Sequence, residues 1–232
     1  MVPGMAAKNH AVADAAGLAT RIQVLLADDH PVVRSGYRNL IDSHPDMRVA
    51  AEAADCQQVL DACRSYRPDV VVLDLNMPGI GGIETIKRLL HFAPALRVLV
   101  FSASESEVLI ERSIQAGALG YLLKSSQPAL MIDAIRLVVQ GKVFVDPQVA
   151  MAVAAAHLRG DGSPLAVLTP REFEVFRQLA QGSSVSEIAE QLFISQKTAG
   201  THQTNIMSKL KLANSVQLVH LAIRCKVIDI QN

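Results

Sequence analysis

Between residues 22 and 140, short β-branched runs alternate with longer stretches in which apolar positions recur every three or four residues. The runs Ile22 to Ala27, Met47 to Ala51, Val70 to Asp74, Arg97 to Ser102 and Gly120 to Leu123 predict strands. Val70-Val71-Val72-Leu73 and Val98-Leu99-Val100-Phe101 lack polar alternation, the pattern of strands covered on both faces. Helices are predicted to start near Pro31, Asp55, Gly82, Ser106 and Gln127, and in the first of them Val32, Val33, Tyr37, Leu40 and Ile41 share one face. Strands that each lead into a helix predict an α/β fold built on a doubly wound five-stranded parallel sheet.

Beyond Val145 the β-branched runs stop. An Ala-rich stretch at 149–158 predicts a helix, and Arg159-Gly160-Asp161-Gly162-Ser163-Pro164 has the composition of a flexible connection. From Leu168 onward only helices are predicted, each with a start signal. Thr169-Pro170-Arg171-Glu172 supplies an N-cap, a first-position proline and a capping-box glutamate. Ser184 with Glu187 and Asn214 with Gln217 repeat the logic, and Ser195 caps a further helix. The expected organisation is a tail over 1–20, an α/β domain over 21–145, a linker carrying a helix over 146–164 and a small all-α domain over 165–232.

Half of the 232 residues are apolar and 19% are charged, which excludes disorder over most of the chain. Lys plus Arg and Asp plus Glu both number 22, so no long-range field draws in nucleic acid, and such a partner must be met by a local patch. Cys56, Cys63 and Cys225 form neither a metal-ligand spacing nor an even disulfide set, which suits a reducing cytoplasm. Lys8, His10 and Asp14 interrupt the Ala-rich first 20 residues, and apolar runs elsewhere fall far short of the roughly 20 residues of a membrane span. Neither an export signal nor a membrane anchor is expected. The stretch 1–20 reads as a disordered tail, a cloning remnant or a start-site artefact with Met5 as a second start, and carries no assigned function.

Ligands of an open parallel sheet bind beyond the carboxyl ends of its strands. Asp28 and Asp29 end the first predicted strand, Asp74 the third, Ser102 the fourth and Lys124 the fifth. Three carboxylates in one small space repel unless a cation lies among them, and an all-oxygen site suits octahedral Mg²⁺. The Lys124 ammonium and the Ser102 hydroxyl complement a phosphoryl group beside such a metal.

These residues on this fold resemble the receiver domain of bacterial two-component response regulators, a flavodoxin-like fold. Asp28-Asp29, Asp74 with Pro78-Gly79, Ser102 and Lys124 fall on the motif positions. The resemblance implies that Asp74 takes a phosphoryl group from a sensor histidine kinase. It further implies that Asp29, Asp74 and the backbone carbonyl of Asn76 ligate Mg²⁺, with Asp28 acting largely through water, and that Lys124 pairs with the phosphoryl oxygens. Ser102 and Tyr121 match the switch pair, in which the hydroxyl moves toward the phosphate and the ring turns inward. Ser125 stands where many receivers carry the proline that favours a cis peptide. His30 and His44 read as surface or helix-start residues and Cys56 and Cys63 as core thiols, without chemistry.

Two helices over Ser184 to Leu192 and Ser195 to Leu210, separated by Phe193 and Ile194, have helix-turn-helix spacing. Leu168 to Glu172, Glu187-Ile188-Ala189, Lys197-Thr198, Thr201-His202 and Lys209-Leu210 resemble the LuxR-type DNA-binding domain. With the receiver, the chain resembles a response regulator of the NarL/FixJ family. The resemblance implies that the helix from Ser195 enters the major groove. Lys197, Thr198, Lys209 and Lys211 would reach phosphates, and Thr201, His202, Gln203 and Thr204 would meet base edges. His202 also fits a phosphate contact. In the last helix Val216, Val219 and Ile223 share a face that either pairs two tails or packs within one tail. Implied partners are promoter DNA, a second copy and RNA polymerase.

The recognition helix departs from the family. Ala199, Gly200 and Gln203 stand where many members carry Val, Lys and a basic residue, so two cations are missing and a single tail should bind DNA weakly. Two rival readings follow. An aspartyl-phosphate hydrolase would share the Asp nucleophile and Mg²⁺, but such enzymes usually carry a second Asp two residues on, where this chain has Asn76. A signalling adaptor would use the cation-poor tail to bind another regulator. The first is disfavoured, and the expected chain is not a metabolic enzyme.

Overall fold

The computed structural model describes residues 21–159 and 163–228. The tail at 1–20 and the central residues of the predicted flexible connection lie outside this range. The sheet is formed by β1 (Ile22–Ala27), β2 (Met47–Ala53), β3 (Val70–Leu73), β4 (Arg97–Ser102), β5 (Gly120–Leu123) and β6 (Phe144–Val145). Its order is β2-β1-β3-β4-β5-β6, and every pairing is parallel. The sequence predicts five strands; the sixth has only two residues, too few for any periodicity to register. It exists because Phe144 and Val145 continue the ladder beside Gly120 and Tyr121.

Five helices cover the sheet. α1 (Pro31–Asp42) and α5 (Ala129–Val139) lie on one face, where Ile41, Ile132 and Ile135 meet Val24, Leu26, Val72 and Phe101. α2 (Cys56–Tyr66), α3 (Gly82–Phe92) and α4 (Glu107–Gln115) lie on the other, where Val59, Ile86 and Val108 meet Leu25, Val71 and Val98. β3 is buried along its whole length, which explains its unbroken Val-Val-Val-Leu run. Each such side chain removed from water contributes roughly 1.5–3 kcal/mol before chain entropy is subtracted. Cys56 and Cys63 are core residues of α2, as expected, and burial pushes both thiols up, that of Cys63 to about 12.

The helix predicted at 149–158 runs over α6 (Pro147–Arg159), and a 3₁₀ turn follows at Pro164–Val167. The remaining helices are α7 (Pro170–Ala180), α8 (Val185–Gln191), α9 (Gln196–Lys209) and α10 (Ser215–Arg224). Their predicted start signals are used. Thr169 with Glu172 and Ser184 with Glu187 close reciprocal capping boxes, while Ser195 and Asn214 accept from the N–H groups of Thr198 and Gln217. The described residues contain no cis peptide, so the bond between Lys124 and Ser125 is trans.

The two domains share one apolar cluster: Phe173, Phe176 and Leu165 join the core of the α2–α4 face. Polar contacts frame it. Arg112 on α4 donates to the carbonyls of Leu165 (3.0 Å) and Leu168 (2.7 Å) and lies 4.5 Å from the Phe173 ring centroid. Ser104 and Ser106, just before α4, donate to the carbonyls of Lys226 and Cys225 at the far end of α10, both at 2.8 Å. Those carbonyls follow the last turn of a helix, where partners are lacking within the helix itself.

Candidate functional site

Parallel register brings the polar residues together. Ala27 lies opposite Leu73, and Ser102 opposite Leu123, so the next residues along β1, β3 and β5 leave the sheet side by side. Main-chain bonds from Asp74 to Ala27 and from Lys124 to Ser102, both 2.9 Å, extend the ladders by one residue and aim Asp28, Asp74 and Lys124 into one pocket. The Lys124 ammonium lies 2.6 Å from Asp28 Oδ2 and 2.7 Å from Asp74 Oδ2. The side chains of Asp28 and Asp74 are only 1% exposed, whereas Asp29 opens to solvent at 31%.

Charge governs this pocket. Burial pushes the Asp74 carboxyl up, against the pull of Lys124 and of the Asn76 N–H, which donates to Asp74 Oδ1 at 3.0 Å. Burial would lower the Lys124 ammonium, but Asp74 and Asp28 overcome it and hold it raised. Apart from the Lys124 ammonium at Asp28 Oδ2 (2.6 Å) and the His30 ring at Asp29 Oδ1 (2.8 Å), these two buried oxygens have no further partner. Ligand-type atoms of Asp28, Asp29, His30 and Asp74 lie within 4.8 Å of one another. Three carboxylates clustered around a single ammonium, beside a solvent opening, fit a hard divalent cation such as Mg²⁺.

His30 was not expected here. Its Nδ1 is 2.8 Å from Asp29 Oδ1 and 3.2 Å from Asp28 Oδ1. The signal was adjacency: His30 follows Asp28-Asp29 directly and precedes α1, so the backbone turn folds its ring back on the acids. His44, in contrast, lies at the far end of α1 on the Leu40 carbonyl.

Ser102 is fully buried, and its Oγ accepts from the Ser104 N–H at 3.2 Å. Tyr121, on β5, points into the core with 0% exposure and donates its hydroxyl to the Ser104 carbonyl at 2.7 Å. Burial raises its phenol well above the ordinary range. The two residues of the expected switch pair therefore meet on Ser104, a residue the sequence reading did not single out. Arg177 was also missed. From α7 it donates to Asn76 Oδ1 at 2.5 Å, a contact made across 101 residues that no local pattern signals.

In the helical domain α8 and α9 form the helix-turn-helix. Lys197, Thr198, Thr201 and Thr204 are exposed on α9, while His202 and Gln203 are half-buried. Thr201 and Thr204 donate to carbonyls of their own helix, those of Lys197 (2.9 Å) and Gly200 (3.0 Å). His202 Nδ1 is buried without a partner, and a Cβ at Gly200 would meet nothing within 4 Å, leaving open space at that point of the helix. Lys209 is engaged elsewhere, 2.6 Å from the capping-box carboxylate of Glu172, whereas Lys211 is exposed past the helix end. On α10 Leu218, Leu221 and Ala222 pack inward, Val216 stands 61% exposed, and Val219 and Ile223 are half-buried.

The same division appears among known proteins. Residues 24–136 match the response regulator receiver domain, and residues 166–222 match the bacterial regulatory proteins of the luxR family. The chain is 34% identical over 205 residues to the response regulator UvrY of Escherichia coli K12, covering 88% of this chain and 94% of that protein. It is 33% identical over 210 residues to the response regulator GacA of Pseudomonas syringae pv. syringae, covering 90% and 98%. Among solved structures, the RcsB response regulator of Salmonella typhimurium aligns with a TM-score of 0.75 at 26% identity over 89% of this chain and 98% of that one. RcsB bound to promoter P1flhDC in the presence of phosphomimetic BeF3⁻ aligns with a TM-score of 0.71 at 27% identity, covering 87% and 98%. An acidic pocket on the first domain, a helix-turn-helix on the second and relatives alike over nearly their full length lead to one conclusion: the chain belongs to the NarL/FixJ family of two-component response regulators.

Proposed function

We propose that this chain is a phosphorylation-activated transcription regulator in which Asp74 accepts a phosphoryl group and the helical domain reads promoter DNA. The observation that carries the proposal is the pocket: a buried Asp74 carboxylate 2.7 Å from the Lys124 ammonium, clustered with the carboxylates of Asp28 and Asp29. A carboxylate oxygen of Asp74 attacks the phosphorus of a kinase phosphohistidine. The new P–O bond forms as the P–N bond breaks, and the imidazole nitrogen takes the electron pair. Lys124 keeps its proton and stabilises the phosphoryl oxygens. Asp28, Asp29, Asp74 and the Asn76 carbonyl would hold Mg²⁺, which when bound offsets negative charge around the transferred group. The aspartyl phosphate is hydrolysed slowly, so the chain is a switch and not a metabolic enzyme.

Ser102 and Tyr121 transmit the change. Both bond Ser104, and Ser104 with Ser106 holds the end of α10 across the domain boundary. A hydroxyl drawn toward a phosphoryl group on Asp74 would pull this loop and loosen that hold, a local charge event biasing a two-state arrangement. The freed domain pairs with a second copy through Val216, Val219 and Ile223, and two α9 helices meet half-sites about one turn apart. Lys197, Thr198 and Lys211 serve phosphates, and Thr201, His202, Gln203 and Thr204 face the bases. Since Lys209 is tied to Glu172, its phosphate contact would require that ion pair to open. The partners are a sensor histidine kinase, promoter DNA, a second copy and RNA polymerase in the cytoplasm. Among the described residues no helix is long and apolar enough to cross a membrane.

Mobility shift with promoter fragments, with and without phosphoramidate, tests the reading. A shift strengthened by the donor is expected; no shift on any fragment would favour an adaptor that binds another regulator.

A further inference from the structure

Arg177 belongs to α7 of the helical domain, yet its side chain ends against the receiver. The residue is 4% exposed; one guanidinium nitrogen donates to Asn76 Oδ1 at 2.5 Å, and another to Glu174 Oε1 at 2.8 Å. Asn76 stands two residues beyond Asp74, and its own N–H is the one bonded to Asp74 Oδ1. Glu174, one turn earlier on α7, rests over Gly81: a Cβ there would lie 2.5 Å from the Glu174 carboxyl carbon. Gly81 has φ +92, a conformation glycine adopts without strain. One side chain of the DNA-binding domain thus bonds the start of the loop from Asn76 to Gly81 that follows the phosphoacceptor, and a second packs closely against its end.

The residue type suits the task. A guanidinium is a rigid fork, able to bond an amide oxygen and a carboxylate at once, and it stays charged when buried if a carboxylate compensates it. Glu174 supplies that compensation, which leaves the Asn76 bond as the part of the contact directed at the receiver. The positions of the Asn76 N–H and the following backbone then depend on whether the other domain is docked.

We infer that Arg177 is a positioning residue of the phosphoacceptor pocket, supplied from the DNA-binding domain, and that through Asn76 it couples domain docking to phosphoryl occupancy of Asp74. The inference rests on the proposed role of Asp74. Coupling between two equilibria is reciprocal. If phosphorylation weakens docking of the helical domain, undocking must favour occupancy of Asp74 by the same factor, and loss of one docking contact by a share of it. DNA that draws the helical domain away would then prolong the phosphorylated state.

The full-length chain tests this without a kinase. Phosphoramidate with Mg²⁺ loads the wild type, and occupancy is read on phosphate-retarding gels; beryllofluoride loading, followed by ¹⁹F NMR, gives a second titration independent of turnover. Arg177→Ala is expected to lower the half-saturating concentration of both probes by roughly fivefold or more, the lower end for coupled sites. Arg177→Lys should show most of that shift, because an ammonium cannot span both partners. Asn76→Ala approaches the same bond from the receiver, where the side chain is exposed and leaves no buried Glu174 behind; it should match Arg177→Ala, and the double variant should exceed neither. Wild-type titrations for Arg177→Ala and Asn76→Ala, with Asp74 still loaded, would overturn the coupling and leave the phosphoacceptor reading standing. A wild type that loads neither probe would overturn both.

Discussion

Tyr121 gives its hydroxyl hydrogen to the main-chain carbonyl of Ser104 at 2.7 Å, and Ser104 in turn spends its own hydroxyl on Lys226 of the other domain. Removing the two interdomain hydroxyls should therefore open the molecule. Ser104→Ala with Ser106→Ala forfeits two hydrogen bonds worth about 1 kcal/mol each. Small-angle scattering should show an increased radius of gyration without any phosphodonor; an unchanged radius would mean that the apolar contacts of Phe173 and Leu165, with the Arg112 and Arg177 bonds, hold the domains without these two hydroxyls.

Asp74→Asn should abolish labelling by phosphoramidate, since an amide oxygen is a poor nucleophile. Mass spectrometry of the intact chain checks this directly, and retained label would place the acceptor at Asp28 or Asp29.

Acid should weaken the helical domain through Glu172. Burial pushes this carboxyl up, but Lys209 and the Thr169 cap outweigh it and hold it below the usual 4.5. A lowered folded-state value means that the contribution is full above pH 4.5 and is lost as pH falls through the folded value. Glu172→Gln should therefore lose stability at neutral pH and show a shallower decline between about pH 5 and 3, measured by thermal melts across that range. A melt profile parallel to the wild type would remove the pair from the account.

Gly200→Lys, at an open point of the recognition helix where many family members carry Lys, should tighten binding to every DNA sequence and steepen the dependence of log affinity on log salt by about 0.9. Fluorescence anisotropy at several salt concentrations reads the slope. A gain confined to one sequence would show that position 200 faces bases instead of phosphates.

Lys209→Ala separates the two partners of that ammonium. If it serves Glu172, melting temperature falls while the salt slope stays; if it serves a phosphate, affinity falls about equally on all sequences and the slope flattens.

Much of this architecture was legible because it is local. The unbroken apolar runs of β3 and β4 announced strands buried on both faces, and the Thr169, Ser184, Ser195 and Asn214 caps act within four residues of themselves. The acids were legible since each ends a strand, and parallel register leaves them nowhere to go but one pocket. β6 was not, because two residues carry no period. His30 is the exposed helix-start residue that the sequence predicts, but its ring contact with the acids has no motif to announce it.

By itself, then, the order of apolar and polar residues determined the sheet, the helices and the meeting of Asp28, Asp29, Asp74 and Lys124, since strand ends and helix caps are set by neighbours along the chain. Only the tertiary structure decided how the two domains touch. Arg177 on Asn76, Ser104 on Lys226 and Arg112 on Leu168 join residues 56 to 122 positions apart. Such pairings depend on how two finished surfaces fit together, a property that no periodicity of either segment encodes.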